Sequence, residues 1–227
     1  MENEQTAFQA FHPSYQELIG EQAEITLLEE KDWAFAHEAG VFFKDSRNVY
    51  FTSARLFEPD GSQKVVISKI NLNESPPRSE VVNTDVLMAN GGIKYKNGVL
   101  FCEQGTMDRP GAISWMEDHP PYKVTTIVNS FQGRPFNSPN DVVVHRDGSI
   151  WFTDPIYGYM QKFKPKPSLP SQVYRYDPAT KAIRAVADGF ARPNGICFSP
   201  DQSVVYVSDT EQANGDGVFD QGKFASM

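Results

Sequence analysis

The chain has 227 residues, a formal net charge of −8, and 40% hydrophobic and 12% aromatic content. That is enough apolar material for a sizeable buried core, and the acidic balance lacks the basic stripe that nucleic-acid binding needs. No run of about 18 apolar residues is present to cross a membrane, and the opening Met1-Glu-Asn-Glu-Gln-Thr6 has neither the basic nor the apolar part of a signal peptide, so a cytoplasmic protein without membrane contacts is expected.

In chain order, residues 1–36 read as an N-terminal extension. Pro13 to Leu18 suggests a short helical turn, and Glu24-Ile-Thr-Leu-Leu-Glu29 suggests a strand. From residue 37 to 227 the chain repeats one pattern: an acidic or amide residue, a short strand, a turn and a second strand. The copies begin at Glu38, Asn90, Asn140 and Asn194, at intervals of 52, 50 and 54 residues. The clearest copy is Ser138-Pro-Asn-Asp-Val-Val-Val-His-Arg-Asp-Gly-Ser-Ile-Trp-Phe-Thr-Asp-Pro155, where Asp147-Gly148 marks a tight hairpin. Third strands are predicted at Lys64–Ile70, Gly111–Trp115 and Gln172–Tyr176. Fourth strands are predicted at Glu80–Val86, Tyr122–Val128 and Ala182–Ala187. Four antiparallel strands per roughly 50 residues make a β-propeller blade. The fold class is therefore all-β: an incomplete propeller of four-stranded antiparallel blades. Ala213-Asn-Gly-Asp-Gly217 reads as a turn, Lys162, Lys164 and Lys166 as a solvated loop cluster, and Cys102 and Cys197 as buried free thiols.

The first strand of a propeller blade lines the central channel. Glu38, Asn90, Asn140 and Asn194 are thus predicted to converge around one axis. One carboxylate and several amide oxygens suit a hard cation such as Ca²⁺, Mg²⁺ or Mn²⁺, whereas Zn²⁺ favours His and Cys. The competing reading is that Asn-Gly and Asn-Asp are turn residues entering strands. Asp154 and Asp209 end the second strands of their hairpins, either as turn formers or as pocket carboxylates. His37, beside Glu38, and Tyr157 and Tyr159, after Pro155, are candidate substrate contacts. His145 lies at the far end of its hairpin, and Trp151 and Phe152 read as blade core. No Gly-x-Ser-x-Gly elbow, His-Glu-x-x-His, phosphate loop or dinucleotide fingerprint is present.

Ser138-Pro-Asn-Asp-Val with Gly148-Ser-Ile-Trp-Phe-Thr-Asp-Pro155, and Arg192-Pro-Asn-Gly-Ile with Val205-Tyr-Val-Ser-Asp209, resemble the gluconolactonase family that includes regucalcin. His37-Glu-Ala-Gly-Val41 is similar to the opening of its fungal and bacterial lactonohydrolase branches. The resemblance runs from about Phe35 to Thr210. It implies a six-bladed propeller holding one divalent cation, usually Ca²⁺, with Mg²⁺, Mn²⁺ or Zn²⁺ as alternatives. Glu38 and Asn194 would be metal ligands, and Asn140 would lie beside the metal and touch substrate. A further aspartate, both ligand and general base, is expected about 50 residues after Asn194, past Met227. Six blades at this spacing need roughly 350 residues, so the chain is read as holding about three and a half blades of a truncated or fragmentary product. With that aspartate outside the chain, Asp154 or Asp209 is the substitute base, alongside Asn140 at the catalytic centre. Ser138 stands where animal members carry an arginine. The expected function is metal-dependent hydrolysis of a small lactone. The alternatives are a phosphotriesterase-like hydrolase and a non-catalytic propeller fragment that self-associates through exposed blade edges.

Overall fold

The computed structural model describes residues 8–20, 22–213 and 218–226. The opening hexapeptide, read above for a leader, and residues 214–217 of the glycine-rich turn lie outside them. A short helix, α1 (Pro13–Ile19), is followed by an irregular segment. The first four-stranded sheet then pairs β1 (Glu38–Phe43), β2 (Asn48–Thr52), β5 (Ile67–Asn71) and β6 (Ser79–Val81) in that order. A small hairpin of β3 (Leu56–Phe57) and β4 (Gln63–Lys64) stands beside it.

The second sheet is β7 (Ala89–Tyr95), β8 (Gly98–Glu103), β9 (Ala112–Glu117) and β10 (Val124–Val128), followed by a hairpin of β11 (Ser130–Phe131) and β12 (Arg134–Pro135). The third is β13 (Val142–Val144), β14 (Ile150–Asp154), β15 (Gln172–Asp177) and β16 (Ala182–Ala187), with the one-turn helix α2 (Tyr157–Met160) between β14 and β15. The last described sheet is the pair β17 (Pro193–Phe198) and β18 (Val205–Asp209). Every pairing is antiparallel, and successive sheets place their first strands side by side, β1 by β7, β7 by β13 and β13 by β17. This is the blade arrangement of a propeller.

Burial explains why β8 is a continuous apolar run. Val99 and Phe101 pack into a core with Val41, Phe43 and Tyr50 of the first blade. Leu100 and Cys102 face the other way, into a core with Val142, Phe152 and Tyr174 of the third. Alternate side chains of one strand thus serve two blade interfaces. The Asp147-Gly148 hairpin forms as predicted, with Val142 opposite Phe152 and Val144 opposite Ile150. Gly148 takes φ +86°, a backbone region that favours glycine, and Asp147 Oδ1 accepts from Ser149 N at 2.8 Å.

Four expectations are corrected. Residues 24–29 form no strand: Ile25 and Leu27 are exposed, and no neighbouring strand takes up their backbone groups among the described residues. The predicted strand from Glu80 to Val86 shrinks to Ser79–Val81. Lys164 is buried rather than solvated, its Nζ donating to the Arg109 carbonyl at 2.9 Å. Cys102 is buried as expected, but Cys197 is exposed, because it points from the uncovered face of β17.

Candidate active site

One cavity of about 440 Å³ opens where the inner strands meet, and His37, Glu38, Asn90, Asn140 and Asn194 all line it. A repeated irregularity aims three of these side chains. The pairing of β1, β7 and β17 shifts register at the strand's start, between Glu38 and Val41, between Ala89 and Gly92, and between Pro193 and Ile196. Such bulges re-aim a side chain that regular pleating would bury in a sheet face. In the third blade the chain reaches Asn140 before β13 begins, and Asn140 N donates to the Thr153 carbonyl at 3.0 Å.

The inner strands are also tied to one another. Gly91 N donates to the Asn140 carbonyl at 2.8 Å, Thr52 Oγ1 to the Asn90 carbonyl at 3.3 Å, and Thr153 Oγ1 to the Asn194 carbonyl at 2.7 Å. Asp141 spans the third and fourth blades, with Oδ2 accepting from Ile196 N at 2.9 Å and Oδ1 from Val142 N at 2.8 Å. The backbones that carry the cavity-lining amides are therefore cross-bonded, which holds the cavity's shape. Gly91 is required for this approach: a Cβ there would lie 2.5 Å from the Asn140 carbonyl oxygen.

Side-chain hydrogen bonds then settle how the amides point. Asn194 Nδ2 donates to Tyr157 Oη and to Thr210 Oγ1, both at 3.4 Å, and those two hydroxyls also bond each other. With its nitrogen so engaged, Asn194 turns Oδ1 away from them. Asn140 is buried, and its side-chain amide has no protein partner among the described residues, so it is left to whatever fills the cavity. Burial pushes the Glu38 carboxyl above the usual carboxylate range, and neighbouring His37 opposes the shift.

The other predicted residues are placed elsewhere. Tyr159 is exposed and does not line the cavity. Asp154 and Asp209 are corrected from pocket carboxylates to loop holders. Asp154 is fully buried and accepts from Asn137 N at 2.9 Å and Ser138 N at 2.8 Å. Asp209 accepts from Ala191 N at 2.9 Å and Arg192 N at 2.8 Å. In both blades the two donors stand three and two residues before the asparagine, so each carboxylate latches the loop that delivers its own blade's amide. Ser138 belongs to the same latch, its Oγ donating to the Pro155 carbonyl at 2.7 Å.

Residues 20–214 match the family model described as the SMP-30/Gluconolactonase/LRE-like region. The chain belongs to this family. Among curated members, the lactonohydrolase oryL of Aspergillus oryzae is 32% identical over 185 residues, 77% of this chain and 41% of that protein. The gluconolactonase of Zymomonas mobilis is 34% identical over 92 residues, 40% of this chain and 26% of that one. A solved gluconolactonase from Xanthomonas campestris superposes with a TM-score of 0.62 at 27% identity, covering 80% of this chain and 57% of that chain. The chain thus spans about a quarter to three-fifths of the length of these relatives. A luciferin-regenerating enzyme, 15% identical with a TM-score of 0.54, shares the fold.

The cavity's donors fit a hard cation. No three side chains from His, Cys, Asp and Glu gather as a metal cluster among the described residues. The blade anchors that gather are one carboxylate and three amides, an oxygen set suited to Ca²⁺ rather than Zn²⁺. Arg55, Gln104, Gln161 and Thr210 also line the cavity and were not anticipated. Thr210 carried a signal, since it directly follows the latch Asp209. The other three lie on connections whose course a repeat pattern does not define.

Proposed function

We propose that this chain carries the cation-holding part of a lactone hydrolase. The observation that supports this best is the convergence of Glu38, Asn90, Asn140 and Asn194 on one cavity of about 440 Å³. The names of its relatives, lactonohydrolase and gluconolactonase, point to the same chemistry. In this reading Glu38 supplies the charge that holds a divalent cation, and Asn194 and Asn90 supply neutral oxygens. When bound, the cation would polarise the lactone carbonyl.

The chain's own residues do the rest. Asn140 bonds the ring substituents, and Tyr157 and Thr210 keep the Asn194 amide from flipping. His37 offers an imidazole to a substrate hydroxyl. Neither Asp154 nor Asp209 acts as the base, because both oxygens of each already accept backbone N–H groups.

The test is hydrolysis of a panel of aldonolactones with and without chelator, together with Ca²⁺ titration by calorimetry. Chelation is expected to abolish turnover. Glu38→Gln is expected to lower Ca²⁺ affinity by at least about a hundredfold, because it removes the cavity's one carboxylate ligand. Turnover that survives both chelation and Glu38→Gln would overturn the cation's role.

A further inference from the structure

A second cavity, of about 210 Å³ and lined by none of the blade anchors, opens between the β8–β9 connection, the end of β12 and the chain after α2. Lys164 lines it and is buried. Two glycines make room for this side chain: a Cβ on Gly158 would collide with its stem, and one on Gly105 would lie 2.7 Å from its Nζ. One of the three Nζ–H groups donates to the Arg109 carbonyl at 2.9 Å, and the other two have no acceptor among the described residues. Burial holds the Lys164 pKa down to about 8, with Asp154 opposing. An ammonium short of solvation and of acceptors gains from an anion brought to it.

The neighbours of Lys164 favour a phosphate. Arg109 and Lys166 are exposed and line the same cavity, with Asp108 as the one carboxylate among the described lining residues. Asp154 lies near enough to Lys164, and Glu103 to Arg109, to oppose those charges, but neither carboxyl lines the cavity, and burial pushes both above the usual carboxylate range. The lining thus presents three cations to one anion in a chain of net charge −8. The cations stand on two connections, and a phosphate dianion offers three oxygens to donors from different sides, where a carboxylate offers two in one plane. Asn137 supplies the other clue. It is buried in the wall of this cavity, its Nδ2 donates to the Leu169 carbonyl at 3.2 Å, and its Oδ1 accepts from nothing among the described residues. A buried acceptor left open costs stability until a donor reaches it, and a ligand hydroxyl is such a donor.

We propose that this cavity is a second ligand site, which takes a small phosphorylated polyol: Lys164, Arg109 and Lys166 hold the phosphate group, and Asn137 accepts from a hydroxyl. The site shares no residue with the proposed cation set. Its volume of about 210 Å³ leaves room for the phosphate and for several further groups of the size of water.

The experiment titrates the full chain by calorimetry, without divalent cation, with glycerol 3-phosphate, inorganic phosphate and glycerol. Glycerol 3-phosphate is expected to bind about fivefold more tightly than inorganic phosphate, since the hydroxyl contact adds one hydrogen bond, and glycerol is expected to give no measurable heat. Binding should weaken as salt is raised. Lys164→Met should weaken glycerol 3-phosphate binding by at least about tenfold, and Arg109→Gln and Lys166→Gln by about threefold each. Lys162→Gln, outside the cavity, should leave it unchanged. Each variant is first checked for a cooperative melt, and if Lys164→Met fails to fold, the variants at the exposed Arg109 and Lys166 decide. The proposal is overturned by no binding of either phosphate, or by equal affinity for the two. It is also overturned if Arg109→Gln and Lys166→Gln bind as the wild type does, or if Lys162→Gln loses as much as they do.

Discussion

In the proposed cation site, Asn194 would depend on its neighbours to offer its oxygen. A side-chain amide has an acceptor and a donor of nearly equal shape, and only its surroundings decide which faces a ligand. Here Tyr157 and Thr210 take the nitrogen. Tyr157→Phe is therefore expected to weaken Ca²⁺ binding about tenfold while leaving the melting temperature nearly unchanged, as calorimetry and thermal unfolding would check. A loss of stability without a change in affinity would give Tyr157 a packing role instead. The positions that meet at the cavity were legible in the sequence, because Glu38, Asn90, Asn140 and Asn194 recur at blade spacing. The residues that orient them were not. Tyr157 was visible as an aromatic after Pro155, but nothing in a single sequence says that its hydroxyl meets Thr210 from the following blade.

The hairpin with its latch is the working element. Its strands and its Asp147-Gly148 turn followed from alternation and turn chemistry, and its closing aspartate was recognised as important for the wrong reason. Asp154 ends a strand beside an asparagine loop, and sequence does not tell a carboxylate facing a ligand from one facing backbone N–H groups. Asp154→Asn replaces one of the two acceptor oxygens with an amide nitrogen that meets a backbone N–H donor, and is expected to destabilise by about 1–3 kcal/mol.

Complete burial raises the Asp154 pKa to about 7, opposed by its two backbone donors and by Lys164. A carboxyl raised in the folded state contributes stability that is fully present below its unfolded value, near 3.8, and is lost as pH rises through about 7. Between those limits the wild type should lose more stability than Asp154→Asn, so the gap between their melting temperatures narrows as pH rises. Equal slopes for the two would show that Asp154 stays charged. Gly91→Ala tests the ties between elements. Its methyl would collide with the Asn140 carbonyl, and the expected loss is about 1–3 kcal/mol together with weakened Ca²⁺ binding. The segment from residue 24 to 29 shows the opposite limit of legibility. Its strand-like composition was real, but a strand needs a partner, and which strands meet is a property of the whole chain.

At the scale of the molecule, blade packing was predictable from the repeat, and the hydrogen bond from Gln63 Nε2 to the Gln161 carbonyl, between loops of the first and third blades, was not, since it joins loops that carry no repeat signature. If a cation binds only the folded cavity, its excess adds to stability. At a hundred times the dissociation constant the gain is about 2.7 kcal/mol, which in a chain of this length raises the melting temperature by roughly 5–10 °C. An unchanged melt in excess Ca²⁺ would count against the cavity as a folded-state cation site.

That tie between Gln63 and Gln161 also sets an order of assembly. Each carboxylate latch joins residues 16–18 positions apart. The side-chain ties from Thr52 and Thr153 to the next blade span 38 and 41 positions, and the Gln63–Gln161 bond spans 98. Loop closure grows harder with separation, and distant pairings come late. In refolding, sheet content should recover in an early phase, and the ability to bind a cavity ligand in a later one. Stopped-flow circular dichroism beside the fluorescence of a bound lanthanide would separate the two. The chain would then exist for a time as a set of finished blades around an unfinished cavity, competent in architecture before it is competent in chemistry.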